Sequence, residues 1–178
     1  MTAHPAPSDF EAQTNATYAA LMWALSRPGL IHDLPEAGQA QIIAALIDRE
    51  CKVHSADPAL TDVALRAGAA LVEFDAADHV FAASLPQADV LRQLRCGSDL
   101  YPEEGATLVL NADLSVGTAL RLTGPGIDGA VELSVGGLPD GFWSERARSM
   151  RYPMGFEIFL IDGSRVLGLP RSTKAEVL

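Results

Sequence analysis

The sequence predicts an α/β chain in which helices flank a mixed β-sheet. Three observations carry this. The N-terminal half places apolar residues at helical spacing behind capping residues. From residue 105 the apolar period changes to two. Phe156 to Ile161 is apolar on both faces apart from Glu157, as a central strand requires.

The elements follow in order. Met1 to Pro7 is expected to be a flexible tail. Ser8-Asp9-Phe10-Glu11 fits a capping box, in which serine accepts an early backbone N–H and glutamate reaches back. Tyr18, Leu21, Met22 and Leu25 then recur at helical spacing. Arg27-Pro28-Gly29 stops this helix, and Gly29 to Leu34 reads as a short strand. A second helix is expected from Gln39 to Asp48 and a short buried strand at Lys52-Val53-His54. Asp57-Pro58 starts a third helix, with Asp as N-cap and Pro at the first position. Its inner stripe is Leu60, Val63, Ala64 and Ala67, and Gly68 ends it. Residues 70–73 and 79–83 are strand candidates, and Gln87 to Leu94 reads as a short helix.

Further on, Ala106, Leu108, Leu110 and Ala112 alternate with Thr107, Val109, Asn111 and Asp113. Leu120 and Leu122 do so with Arg121 and Thr123, and Val131, Leu133 and Val135 with Glu132 and Ser134. Each pattern predicts a strand with one packed face and one wetter face. Gly124-Pro125-Gly126 is a turn between two of them. Asp140 is expected to begin a helix containing Phe142, Trp143, Ala147 and Met150. Asp162-Gly163-Ser164 turns the central strand back into Val166 to Leu169, the strongest hairpin signal in the chain.

A length of 178 residues suits one domain spanning 1–178. Hydrophobic residues make up 48% and aromatics 6%, so the core must be aliphatic. The formal net charge of −10 argues against a nucleic-acid partner and against docking on anionic membranes. A small anion stays possible, because a few arginines at one site can outweigh the global field. Cys51 and Cys96 make neither a disulfide framework nor a zinc site. No basic region followed by an apolar stretch opens the chain, and no uncharged apolar run reaches the ~18 residues of a membrane helix. The expected compartment is the cytoplasm.

The search for chemistry returns little. No Walker-type loop, dinucleotide-binding glycine motif or G-x-S-x-G elbow is present. Gly124-Pro125-Gly126 lacks an N–H that an anion nest would use. His4, His32, His54 and His79 are scattered without i, i+4 partners. Cys51 and His54 fall on opposite faces if both lie in a strand. Glu103-Glu104, Asp75 and Asp78 read as solvated carboxylates. No catalytic, cofactor-binding or metal-binding residue is assigned. Arg27, Arg121, Arg151 and Arg171 sit beside turns or strand ends. They are candidates for ligand contact, since arginine forks suit phosphate oxygens, or for interface contact. There are 11 arginines and two lysines, Lys52 and Lys174, and neither lysine has the setting of a Schiff-base lysine.

One resemblance adds to this. Leu21-Met22-Trp23-Ala24-Leu25-Ser26-Arg27-Pro28-Gly29, Ile47-Asp48-Arg49-Glu50 and Gly97-Ser98-Asp99-Leu100-Tyr101-Pro102-Glu103-Glu104-Gly105 appear in order. They are followed by Leu120 to Ile127, Gly137-Leu138-Pro139, Phe142-Trp143, Tyr152-Pro153-Met154-Gly155 and Leu169-Pro170-Arg171-Ser172-Thr173. The ordered set resembles the PhnH family of the bacterial carbon–phosphorus lyase system across nearly the whole chain. The resemblance implies a fold like that of pyridoxal-phosphate-dependent transferases without the cofactor or its lysine. It also implies a homodimer that assembles with PhnG, PhnI, PhnJ and PhnL. With those partners the family is implied in moving ribose 5-triphosphate from ATP onto a phosphonate, and no catalytic residue carries over to this chain. Two readings therefore stand: an architectural subunit, or a nucleotide- or phosphonate-binding enzyme with a site of its own. A pyridoxal-phosphate enzyme is a distant third.

Overall fold

A computed structural model of the chain describes residues 6–178. The expected tail over residues 1–7 and His4 lie wholly or largely outside the described residues. The elements run α1 (Asp9–Ser26), β1 (Ile31–Asp33), α2 (Ala40–Leu46), β2 (Lys52–Ser55), α3 (Pro58–Ala67), β3 (Ala70–Leu71) and β4 (His79–Ala82). Then come β5 (Thr107–Asn111), β6 (Asp113–Thr123), β7 (Val131–Gly136), α4 (Phe142–Ser149), β8 (Glu157–Asp162), β9 (Arg165–Leu169) and β10 (Lys174–Val177).

Seven strands form a mixed sheet in the order β1-β9-β8-β5-β4-β2-β3. From β3 to β8 every pairing is parallel, whereas β9 pairs antiparallel with both β8 and β1. Helices α1, α2 and α3 cover one face, where Leu21, Ile42, Ile43 and Ala64 pack with Val53, Phe81, Val109 and Phe159. On the other face Leu108, Leu110, Ile158 and Leu160 meet α4 and a second sheet. That sheet is antiparallel, in the order β10-β6-β7. Leu114, Leu120, Leu122 and Val135 are its buried contribution, while Arg121 faces water.

The local signals hold where they are self-contained. Ser8 and Glu11 form both halves of the capping box. Asp57 caps α3 by accepting from the Ala59 N–H at 2.8 Å, and Gly68 closes it at φ +92°. The β8–β9 hairpin pairs Asp162 with Arg165 and Ile158 with Leu169.

Five expectations need correction. Of the apolar residues at helical spacing in α1, Leu21 is buried and Leu25 partly so, but Tyr18 and Met22 point outward, and Thr17 and Ala24 are buried in their place. The reason is the approach of α1 to β9. A Cβ on Gly168 would stand 2.5 Å from the Ala24 carbonyl carbon and 2.7 Å from its oxygen. Only small side chains fit between backbones that close. β5 has no wetter face at Val109, which is fully buried because β4 and β8 flank it and both sheet faces are covered. Residues 88–93 form a 3₁₀ helix rather than an α-helix. Its buried residues Ala88 and Leu91 belong to a strict series with Leu85 and Leu94, and a period of three is the 3₁₀ repeat. α4 begins after Gly141 (φ +80°) without a cap from Asp140, and it exposes Ala147. Asp78 is no free carboxylate, since it pairs with Arg95 and accepts the Lys52 N–H at 2.9 Å.

Two outcomes follow. Gly168→Ala should cost about 1–3 kcal/mol or more, read as a lowered urea midpoint, because the added methyl meets backbone that cannot yield. His79 gives a pH effect. Burial pushes its imidazole below the ordinary value, against smaller opposite pulls from Asp78 and Asp48. Its Nδ1 has no hydrogen-bond partner among the described residues. Below about pH 6.5 the unfolded chain takes up a proton that the folded chain refuses, so stability falls with acidification. Melting temperatures at about pH 7.5 and 5.5 should therefore drop further for the natural protein than for His79→Gln.

Candidate functional site

The chain leaves the large sheet at Leu169 and enters the small one at Lys174. The four residues between, Pro170-Arg171-Ser172-Thr173, are gripped from two sides. From α4, Arg146 donates from Nη1 to the Thr173 carbonyl and from Nη2 to the Pro170 carbonyl, each at 3.0 Å. From within the crossing, Arg171 engages Glu157 at the start of β8. Its backbone N–H reaches Oε2 at 2.7 Å and its Nε reaches Oε1 at 2.6 Å. Its Nη1 also donates to the Pro102 carbonyl. Gly105 leaves the passage open, since a Cβ there would lie 3.1 Å from Arg171 Nη1.

Beside this crossing lies a cavity of about 650 Å³. Arg146, Arg171, Thr173, Lys174 and Glu176 give it polar lining, and Pro125, Met150 and Tyr152 contribute apolar lining. Arg146 is 2% exposed and makes no ion pair with a carboxylate among the described residues. Burial lowers its pKa to about 10, with Glu157 pulling weakly the other way. It remains a cation at neutral pH. Its Nε and the Thr173 hydroxyl are both buried without hydrogen-bond partners among the described residues.

The four arginines named from the sequence do not converge. Arg171 lines the cavity. Arg121 is exposed and forms a cross-strand pair with Glu132, with Nη2 at 2.8 Å from Oε1. Arg27 caps the C-terminus of α1 and lines a separate depression with Pro28, Leu30 and Asp128. Arg151 is exposed beyond α4, where its backbone bridges to Met154. Sequence reading missed Arg146. A signal was available: it stands four residues after Phe142, three after Trp143 and four before Met150, on the apolar face of its helix. A charged residue at such a position is buried for a reason.

The other reactive side chains are quiet. Burial pushes both Cys51 and Cys96 thiols up, away from the thiolate. His54 is held by the Val72 carbonyl at 3.0 Å and packs edge-on to Phe74. Arg95 stands between Asp78 and Glu104, an arrangement of charge balance. Among the described residues no three His, Cys, Asp or Glu side chains cluster as metal ligands. No helix among the described residues is long and apolar enough to cross a membrane.

Comparison with known proteins gives a consistent answer. A family model described as "Bacterial phosphonate metabolism protein (PhnH)" matches residues 5–176. A putative C-P lyase subunit protein, HtxG, of Stutzerimonas stutzeri is 33% identical over 159 residues, covering 86% of this chain and 80% of its own. The alpha-D-ribose 1-methylphosphonate 5-triphosphate synthase subunit PhnH of Rhizobium meliloti (strain 1021) is 32% identical over 190 residues, covering 94% and 91%.

The grip on the crossing has a measurable weight. Arg171→Ala should cost about 3 kcal/mol in urea unfolding, because it leaves the Glu157 carboxylate half-buried and unpaired. Arg121→Ala, on an exposed pair, should change stability by no more than about 0.5 kcal/mol.

Proposed function

Since the chain belongs to the PhnH family, we propose that it is a subunit of a carbon–phosphorus lyase system. With partner subunits it serves the transfer of ribose 5-triphosphate from ATP to a phosphonate. The observation that carries this reading is the match over residues 5–176, together with relatives that cover most of the chain at 32–33% identity. In this reading the chain is a single domain that contributes architecture, and other subunits supply the reactive groups.

The side chains support that division. Both thiols are held protonated by burial. Both lysines are exposed, whereas a Schiff-base lysine needs burial to lose its proton at neutral pH. That setting, with the largely parallel sheet, supports a fold of the pyridoxal-phosphate transferase kind that works without the cofactor. Two free cysteines suit a reducing cytoplasm.

The surface for partners, or for a second copy in a homodimer, is the outer face of α1. Phe10, Tyr18, Met22 and Trp23 stand 46–63% exposed on one helix. Scattered apolar residues need no explanation, but Tyr18 and Met22 stand one turn apart on the same side of the helix, and the exposed Trp23 follows Met22 directly. The inner residues Leu21 and Ala24 hold the helix in place, so the outer ones are not needed for the fold.

Met22→Glu combined with Trp23→Glu should leave the melting temperature within about 2 °C of the natural protein. The same change should abolish co-purification with co-expressed partner subunits, or reduce the mass seen by light scattering to that of a monomer. Unimpaired assembly by both measures would remove α1 as the docking face. A natural protein that never joins the partner subunits would remove the subunit reading itself.

A further inference from the structure

We propose that the cavity beside the crossing is an oxyanion site of this chain, in which Arg146 and Thr173 bind a phosphate or phosphonate group. The inference goes beyond the architectural role and stands without it. It rests on a mismatch in the cavity lining. Arg146 offers five N–H groups, of which two are used on the Thr173 and Pro170 carbonyls. Carbonyl dipoles hold a guanidinium but do not neutralise it. A buried cation is ordinarily paired, because removal from water is costly without an opposite charge. Here the paired arginine is its neighbour: Arg171 has Glu157, whereas Arg146 makes no ion pair among the described residues and feels Glu157 only from beyond ion-pair distance.

The unpaired groups occur on neighbouring residues. Among the described residues Arg146 Nε is a buried donor without an acceptor, and Thr173 Oγ1 is a buried hydroxyl without a partner. Both residues line the cavity. A guanidinium donor and a hydroxyl on two residues of the cavity lining match the oxygens of a tetrahedral anion. Lys174 adds a third positive charge to the lining, beside Arg146 and the Arg171 that Glu157 pairs, against the single lining carboxylate of Glu176. This local excess runs against a chain whose formal net charge is −10. Burial that depresses the Arg146 pKa has the same meaning, since an arriving anion relieves it.

The remaining lining sets the ligand's size. A bare phosphate fills a small part of about 650 Å³. The apolar wall of Pro125, Met150 and Tyr152 gives an organic portion somewhere to lie. The shared chemistry is therefore an organic phosphorus oxyanion, whether it arrives as a phosphonate or as the phosphate chain of a nucleotide.

The test is isothermal titration calorimetry on the full chain at low ionic strength. Methylphosphonate, inorganic phosphate and ATP are titrated separately, with sodium chloride at matched ionic strength as the control. At least one of the three should bind saturably at millimolar concentration or tighter, while chloride does not. A preference for methylphosphonate identifies a phosphonate as the source, and a preference for ATP a nucleotide; both support the site. Thr173→Val removes a hydroxyl that holds nothing in the fold, so it should weaken binding about tenfold with the melting temperature unchanged. Lys174→Gln should weaken binding and reduce its salt dependence. Arg146→Lys keeps the charge but loses the fork, and should weaken binding further. If that variant fails to fold, the other two carry the result. Absence of saturable binding by all three anions overturns the proposal. So does binding that Thr173→Val and Lys174→Gln leave intact.

Discussion

Everything on the α4 side of this molecule depends on how four residues are held. Pro170 to Thr173 carry the chain from one sheet to another, and their backbone carbonyls have no ladder to join. A buried segment of that kind is unstable unless its polar groups find partners. Two arginines supply them from opposite directions, Arg146 from α4 and Arg171 through Glu157 of β8. The grip fixes β10 against β6 and fixes α4 against both. The cavity is what remains between these elements when the crossing is held in place.

The same stretch links the two faces of the large sheet. β9 carries Gly168, which lets α1 lie directly on the sheet, and two residues later the chain turns into the crossing. The outer stripe of α1 and the cavity beside α4 are therefore on opposite sides of one strand. A partner on the first and a ligand in the second do not compete for space.

Much of the fold was legible because many of its devices are local. A capping box, an Asp-Pro start with a glycine stop, and a tight hairpin each act within a few residues of chain. The α1 face was only half legible: Leu21 was named, but Tyr18 and Met22 fit a helical stripe as well as Thr17 and Ala24 do. The choice between them is made by Gly168, far away in sequence. β10 escaped notice for a similar reason: Lys174 to Val177 alternates weakly, and its partner is β6. The site was half legible. Arg171 was singled out by its place after a strand end. Arg146 was hidden by the habit of reading helix arginines as surface charge, although its spacing from Phe142, Trp143 and Met150 put it on the inner face.

The sheet order has a consequence for synthesis on the ribosome. β5 and β8 are neighbours in space, with Thr107 beside Glu157 and Asn111 beside Ile161. Between them the chain first makes the β6–β7 hairpin and then α4. That hairpin pairs locally and can form early, while the central parallel ladder must wait for a distant partner to be translated. Until then Leu108, Val109 and Leu110 present an open apolar strand edge, the kind that recruits other nascent chains. Elongation from β5 to β8 is thus the interval in which the growing polypeptide most needs protection by a chaperone.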